Sequence, residues 1–258
     1  MNHKYSSIYS KFRGYEAYLT CTNEKEFLQE EIKNKFNGTL LKNILDVGGG
    51  DGVHSRFLSE FFFNSFIYYL EPSKVLFDLA ISRGFNSNVY FQNVSLENFK
   101  TNKKFDLIIV SHVLQYLDYD LEEFILRCLS LLSVEGEIWL INQTKKGMAE
   151  IINHQKNYLD SVLFMNWKTA EDLFPLIEKL VDREKFNLTY KILDTSIENI
   201  DFSNPSLLDK YRLEFIFGLE DDFDLQTEEF KENLSSLYFG GKRIGHPNKI
   251  MVVKRLLK

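Results

Sequence analysis

Between Asn43 and Leu58 the chain reads Asn-Ile-Leu-Asp-Val-Gly-Gly-Gly-Asp-Gly-Val-His-Ser-Arg-Phe-Leu. Ile44, Leu45 and Val47 make a short apolar run of strand formers, suited to a parallel strand buried on both faces. Gly48, Gly49, Gly50 and Gly52 permit a tight turn and close approach of a ligand to the backbone. From Val53 onward Val53, Phe57, Leu58 and Phe61 fall on one helical side. Strand, glycine loop and helix in that order open a nucleotide-binding βαβ unit.

The charges in the loop narrow the ligand. A pyrophosphate docks on a helix N-terminus that is free of negative charge. Here Asp46 ends the strand and Asp51 sits inside the loop, and the glycines run Gly48, Gly50, Gly52 rather than G-x-G-x-x-G. Two carboxylates suit a ligand bearing an ammonium and a sulfonium, as S-adenosylmethionine (SAM) does. Glu71 follows by roughly twenty residues, the separation at which a carboxylate meets ribose hydroxyls in such folds.

The βαβ series continues with strands over Phe66–Leu70, Asn88–Gln92 and Phe105–Val110. A helix over Tyr119–Leu132 carries a complete apolar stripe, and Glu135-Gly136 turns into a strand over Glu137–Ile141. Before this core, apolar and aromatic residues at three- and four-residue steps predict a helix through Tyr5–Leu19. A second predicted helix runs through Phe27–Phe36, N-capped by Asn23 or Thr22 and ended by Asn37-Gly38. Beyond Asn142, Met148–Leu163 reads helical. Thr169–Asp172 resembles a capping box opening a helix through Leu180, with Pro175 as a kink. Leu188–Leu193 is a sixth strand and Lys249–Val253 the last, with one or two helices over Glu198–Leu237 between them.

The expected fold is therefore α/β: a Rossmann-like, seven-stranded, mostly parallel sheet flanked by helices. It carries an N-terminal helical cap and a helical lid inserted before the last strand. With no linker or repeat, residues 1–258 read as a single domain, with cap 1–38, core 39–145 and lid insertion 194–245.

Composition excludes several function classes. The 258 residues are 44% hydrophobic with 23 Phe and 13 Tyr, ample for a packed core. A net charge of −6 argues against a general nucleic-acid binder, which needs a basic face. Cys21 and Cys128 are too few for a disulfide framework or a metal site, and fit reduced thiols in a cytoplasmic protein. No stretch is long and apolar enough to span a bilayer. No metal is expected, and the partner expected is a small-molecule substrate rather than nucleic acid or membrane. Nothing indicates an oligomeric state.

The segment Leu45–Gly52, Glu71 and the run Ser111-His112-Val113-Leu114 together resemble class I SAM-dependent methyltransferases. The resemblance implies a cofactor site of Asp46, Gly48, Gly50, Glu71, Asn93, Val94 and Ser111. Asn93 departs from the acidic residue usual at its place, although its amide oxygen can accept the same adenine hydrogen bond. The whole chain resembles the histamine N-methyltransferase-like small-molecule methyltransferases. Tyr18–Glu24 with Phe27–Glu30 match that family's leading segment, placing Glu24 on its amine-binding glutamate. His112 falls on a substrate-contacting glutamine and His246 near a substrate-contacting asparagine, so both depart from the pattern. Tyr15 and Tyr18 are candidates to pack against the acceptor.

These matches imply methyl transfer to a nitrogen of a small amine or imidazole-like molecule, releasing S-adenosylhomocysteine. Glu24 would orient the amine and His112 would accept its proton. Small-molecule O-methylation and non-catalytic SAM binding remain open alternatives. The bland readings are first-turn placement for Glu24, packing for His112 and an ordinary turn for His246. His3, His54 and His154 show no ligand spacing and receive no role.

Overall fold

The computed structural model describes residues 12–117, 120–146, 168–200, 206–217 and 243–256. Its helices are α1 (Phe12–Leu19), α2 (Glu24–Phe36), α3 (Val53–Phe61), α4 (Lys74–Ser82), α5 (Leu121–Leu131), α6 (Ala170–Leu180) and α7 (Leu207–Phe217). Its strands are β1 (Asn43–Val47), β2 (Phe66–Leu70), β3 (Val89–Gln92), β4 (Phe105–Ser111), β5 (Leu132–Gln143), β6 (Phe186–Leu193), β7 (Ser196–Glu198), β8 (Arg243–Gly245) and β9 (Asn248–Arg255).

Seven strands form one sheet, the number expected from the sequence, in the order β3-β2-β1-β4-β5-β9-β6. Strands β1 to β5 pair in parallel, and β9 runs antiparallel between β5 and β6. Every residue of β1 is buried, because helices cover both faces of a parallel sheet. On one face α5 and α6 pack Phe124, Cys128, Phe174 and Ile177 onto Leu45, Val110 and Met251. On the other, Leu28, Ile32 and Phe36 of α2 meet Ile109, Trp139, Ile141 and Ile250.

Two features of this topology place a site. The chain leaves β1 toward β2 and β3, then returns to add β4 on the opposite side. Loops after β1 and β4 therefore part at the strand C-termini, and ligands of open α/β sheets bind in that crevice. Because β9 is antiparallel, its first residues lie at the same edge, with Asn248 paired to Gln143 at the end of β5.

Several local expectations are corrected. Strand β5 begins at Leu132, and Gly136 lies within it rather than in a turn preceding it. The register against β4 jumps from Phe105↔Leu132 to Leu107↔Glu137, so Gly136 belongs to a bulge. A Cβ there would stand 2.6 Å from the Phe105 carbonyl oxygen. Asn23 occupies the α2 N-cap position without capping it, since its side chain bonds to Ser196 instead. Strands β7 and β8 form a small antiparallel pair that was not foreseen. Thr169 and Asp172 do bond as the capping-box reading requires, and Pro175 lies inside α6. The helix expected over 148–163 lies outside the described residues, as does much of the stretch expected to form a lid.

Candidate active site

Gly48 begins the loop after β1 with φ +67°, and a Cβ there would lie 2.5 Å from Val113 Cγ2. Only glycine meets both conditions without strain. Val113 thus closes on the loop from the β4 side, while the Tyr69 hydroxyl of β2 donates to the Gly50 carbonyl. Glu71, just past β2, reaches under the same loop. Its two carboxylate oxygens accept from Gly50 N (2.9 Å) and Ser73 N (2.7 Å). Burial, aided by the charge of Asp46, pushes the Glu71 carboxyl up to about 7. Asp46 accepts from the Ser55 hydroxyl at 2.7 Å, and burial lifts its pKa to about 6. Neither Asp46 nor Glu71 has a cation within salt-bridge distance among the described residues.

Asp51 behaves differently. The sequence reading gave both loop carboxylates to the ligand, but Asp51 is bound by Lys25 of α2 (2.6 Å) and Arg83 beyond α4 (2.9 Å). Burial raises the Asp51 pKa, yet the two cations overcome it and hold the carboxylate below its usual range. Its charge is spent on joining three segments. Two carboxylates without a salt-bridge partner among the described residues remain at the crevice, Asp46 and Glu71, and these acceptors fit a ligand that brings a cation and hydroxyl donors. Asn93 gives its amide NH2 to the Glu71 and Pro72 carbonyls, which leaves its oxygen as the outward acceptor. Val94 packs on the apolar core and Ser111 ends β4.

The second cluster is gathered from three places in the chain. Glu24 Oε1 lies 2.6 Å from His246 Nε2 and accepts from the Asn248 amide at 3.0 Å. Glu24 Oε2 lies 3.7 Å from His112 Nε2. Burial works to raise the Glu24 pKa, but the two imidazoles and the hydrogen bonds from His246 and Asn248 hold the carboxyl well below the usual range. Burial pushes the His112 imidazole down, toward its neutral form. His112 also has φ +55°, a left-handed conformation costly for a residue with a side chain. Its N–H donates to the Ile141 carbonyl, so the strand ladder maintains the strained turn.

The structure thus brings Glu24, His112 and His246 together. His246 is only 1% exposed and spends Nε2 on Glu24. Tyr18 is buried with its hydroxyl bonded to Thr22, and the Tyr15 side chain lies outside the described residues. Sequence reasoning missed Asn248, whose signal was only its place at the start of the last strand. It also set aside His54, which is half-buried within range of the charges of Lys25, Asp51, His112 and Glu24. His3 and His154 lie outside the described residues.

Residues 44–136 match the family described as Methyltransferase domain. A 128-residue stretch is 29% identical to malonyl-[acyl-carrier protein] O-methyltransferase 1 of Ilyobacter polytropus, covering 49% of this chain and 47% of that protein. The chain spans about half the length of the curated relatives it matches. Among solved structures, the plantazolicin methyltransferase BpumL in complex with SAH superposes with TM-score 0.56 at 14% identity, over 98% of this chain and 89% of that one. The N-methyltransferase NodS from Bradyrhizobium japonicum WM9, also with S-adenosyl-L-homocysteine, gives 0.52 at 13% identity over 91% and 88%. Likeness at such identities speaks to fold. The chain has the Rossmann-like methyltransferase fold, with the methyltransferase-domain match running through residues 44–136.

Proposed function

We propose that this protein is a SAM-dependent methyltransferase that methylates a nitrogen of a small amine or imidazole-like molecule. The observation that carries the nitrogen reading is Glu24: a half-buried carboxylate at the C-terminal edge of the sheet, held below its usual range by His112, His246 and Asn248. Asp46, Gly48, Gly50, Glu71, Asn93, Val94 and Ser111 would hold the cofactor. When bound, SAM supplies an electrophilic methyl group on a sulfonium. Residues 1–38 and 194–245 serve the acceptor side and residues 39–145 the cofactor side of one domain.

The residues of the chain do the remaining work. Methyl transfer is an in-line displacement, and holding the partners in line can remove roughly 7–11 kcal/mol of barrier. Glu24 orients the ammonium form of the acceptor, and His112 Nε2 takes the proton that frees the lone pair. An imidazole kept neutral by burial is ready for that task near neutral pH. His246 and Asn248 fix the Glu24 carboxylate rather than meet the acceptor. The O-methyltransferase reading keeps support from the Ilyobacter relative's name.

The test is methyl transfer from labelled SAM to a panel of small amines, imidazoles and phenols, following S-adenosylhomocysteine release. Turnover of an amine or imidazole that Glu24→Gln lowers by about 30-fold or more is the expected result. Turnover confined to phenols or acids would replace the nitrogen reading with the oxygen one.

A further inference from the structure

Nine side-chain nitrogen and oxygen atoms are buried without a hydrogen-bond partner among the described residues. Native proteins hold few such atoms, and each asks for a reason. Six of the nine belong to His54, Gln115, Gln143, His246 and Asn248, and all five residues connect to the Glu24 cluster. His246 and Asn248 bond Glu24 directly. His54 lies in reach of the charges of Glu24 and His112, and Gln115 bonds Tyr116, whose phenol feels Glu24.

Gln143 is the extreme member. It is 0% exposed, and neither its amide oxygen nor its amide nitrogen has a partner among the described residues. Its placement is set by strand parity. Ile141 and Ile250 are cross-strand partners on the α2 face of the sheet, so the next same-face pair is Gln143 and Asn248. Directly opposed side chains on one face lie about 5 Å apart at Cβ, and Asn248 is the residue that bonds Glu24. The Gln143 amide therefore stands one strand from the carboxylate that holds the acceptor. An apolar side chain of the same length would fill this place without leaving an amide unpaired.

We infer that Gln143 is a specificity-determining residue, whose amide pairs with a second polar group of the methyl acceptor, one that both donates and accepts a hydrogen bond. This rests on the small-molecule reading above and narrows its substrate class. The acceptor is a compact polar molecule, such as an amino alcohol, an amino amide or a ring carrying an N–H beside a bare nitrogen. Apolar amines are rejected because they leave the Gln143 amide unpaired, a penalty that hydrogen-bonding sites use for discrimination.

The experiment compares the parent with Gln143→Met by two readouts. In the ligand-free protein, loss of an unpaired buried amide should leave Tm unchanged or raise it by about 2 °C. A fall of roughly 4 °C or more would mark the amide as structural and overturn the inference. The second readout is methyl transfer to matched pairs, ethanolamine against propylamine and catechol against 2-methylphenol. The parent should favour a polar member by about 100-fold in kcat/KM, and Gln143→Met should bring the ratio to within about threefold with S-adenosylhomocysteine affinity unchanged. Discrimination in the phenol pair alone would keep the role of Gln143 and remove the nitrogen reading. Amine turnover with a ratio that Gln143→Met does not move would keep the nitrogen reading and overturn the role of Gln143. Absence of any preference in both pairs overturns it as well.

Discussion

A carboxylate against one buried and one half-buried histidine is costly to desolvate, and Glu24 stays ionised only through the hydrogen bonds and charges around it. Replacing it by Gln keeps the shape and removes the charge that pairs with an ammonium. Losing a buried charge partner costs about 2–4 kcal/mol, so Glu24→Gln should lower kcat/KM for the acceptor by roughly 30- to 1,000-fold. S-adenosylhomocysteine affinity, read by calorimetry, should not change. His112 allows a cleaner substitution than most general bases, because Asn tolerates its φ of +55°. His112→Asn should lower kcat by about 100-fold or more and abolish the acid limb of the kcat profile. That limb should lie below pH ~6.5, the ordinary histidine value, since burial moves the group down. An unchanged profile would assign proton removal elsewhere. Glu24 and His112 entered the candidate site through the family resemblance of their local runs, and the structure brings the two side chains together. Asn248 had no such run, because a polar residue at a strand end looks the same in sequence whether it meets solvent or, as here, the Glu24 carboxylate.

At the scale of elements, Glu24 owes its position to segments remote in sequence. Arg212 of α7 is 7% exposed and donates to the Ala17 and Asn199 carbonyls, the Thr20 hydroxyl and Asp209. Asn23 is clamped to Ser196, and the Cys21 carbonyl accepts from Glu198 N. The turn leading into α2 is thus held by β7 and α7, and with it the first helical residue, Glu24. Breaking a buried ion pair on one side costs about 3–5 kcal/mol. Arg212→Met should therefore speed amide hydrogen exchange across residues 17–23 and raise the acceptor KM, with the S-adenosylhomocysteine Kd held within about twofold. Equal weakening of both ligands would mean that Arg212 supports the whole fold. These couplings had no reading in the sequence. Strands β7 and β8 are three residues each, too short for alternation to register, and their partners are set by tertiary contacts. The seven-stranded sheet was legible, because βαβ periodicity is local and strands buried on both faces are continuous apolar runs.

For the molecule as a whole, pH acts through groups of opposite sign. Asp46 and Glu71 have folded-state pKa values raised to about 6 and about 7 by burial. Over the interval from their ordinary values, ~4, up to those values, the folded state binds more protons than the unfolded one. Their contribution to stability is complete below about pH 4 and is lost as pH rises through 6 and 7. His112 and His54 are displaced downward, His54 to about 3, so their contribution is lost as pH falls below ~6.5. Glu24 and Asp51, held below their usual range, also lose their contribution as pH falls, so the total profile sums opposed groups and isolates neither pair. A single substitution separates them. The stability of the parent relative to Glu71→Gln should be greatest below pH ~4.5 and shrink steadily to about pH 7, read as the difference in Tm across a buffer series. Cofactor binding should reveal the same group from the other side. Ribose hydroxyls donate to the ionised carboxylate, so S-adenosylhomocysteine binding should weaken by up to tenfold per pH unit below about 7. In Glu71→Gln that slope should flatten to whatever Asp46 leaves. A slope unaltered by the substitution would show that Glu71 does not face the cofactor, and would return its burial to the folding of the glycine loop alone.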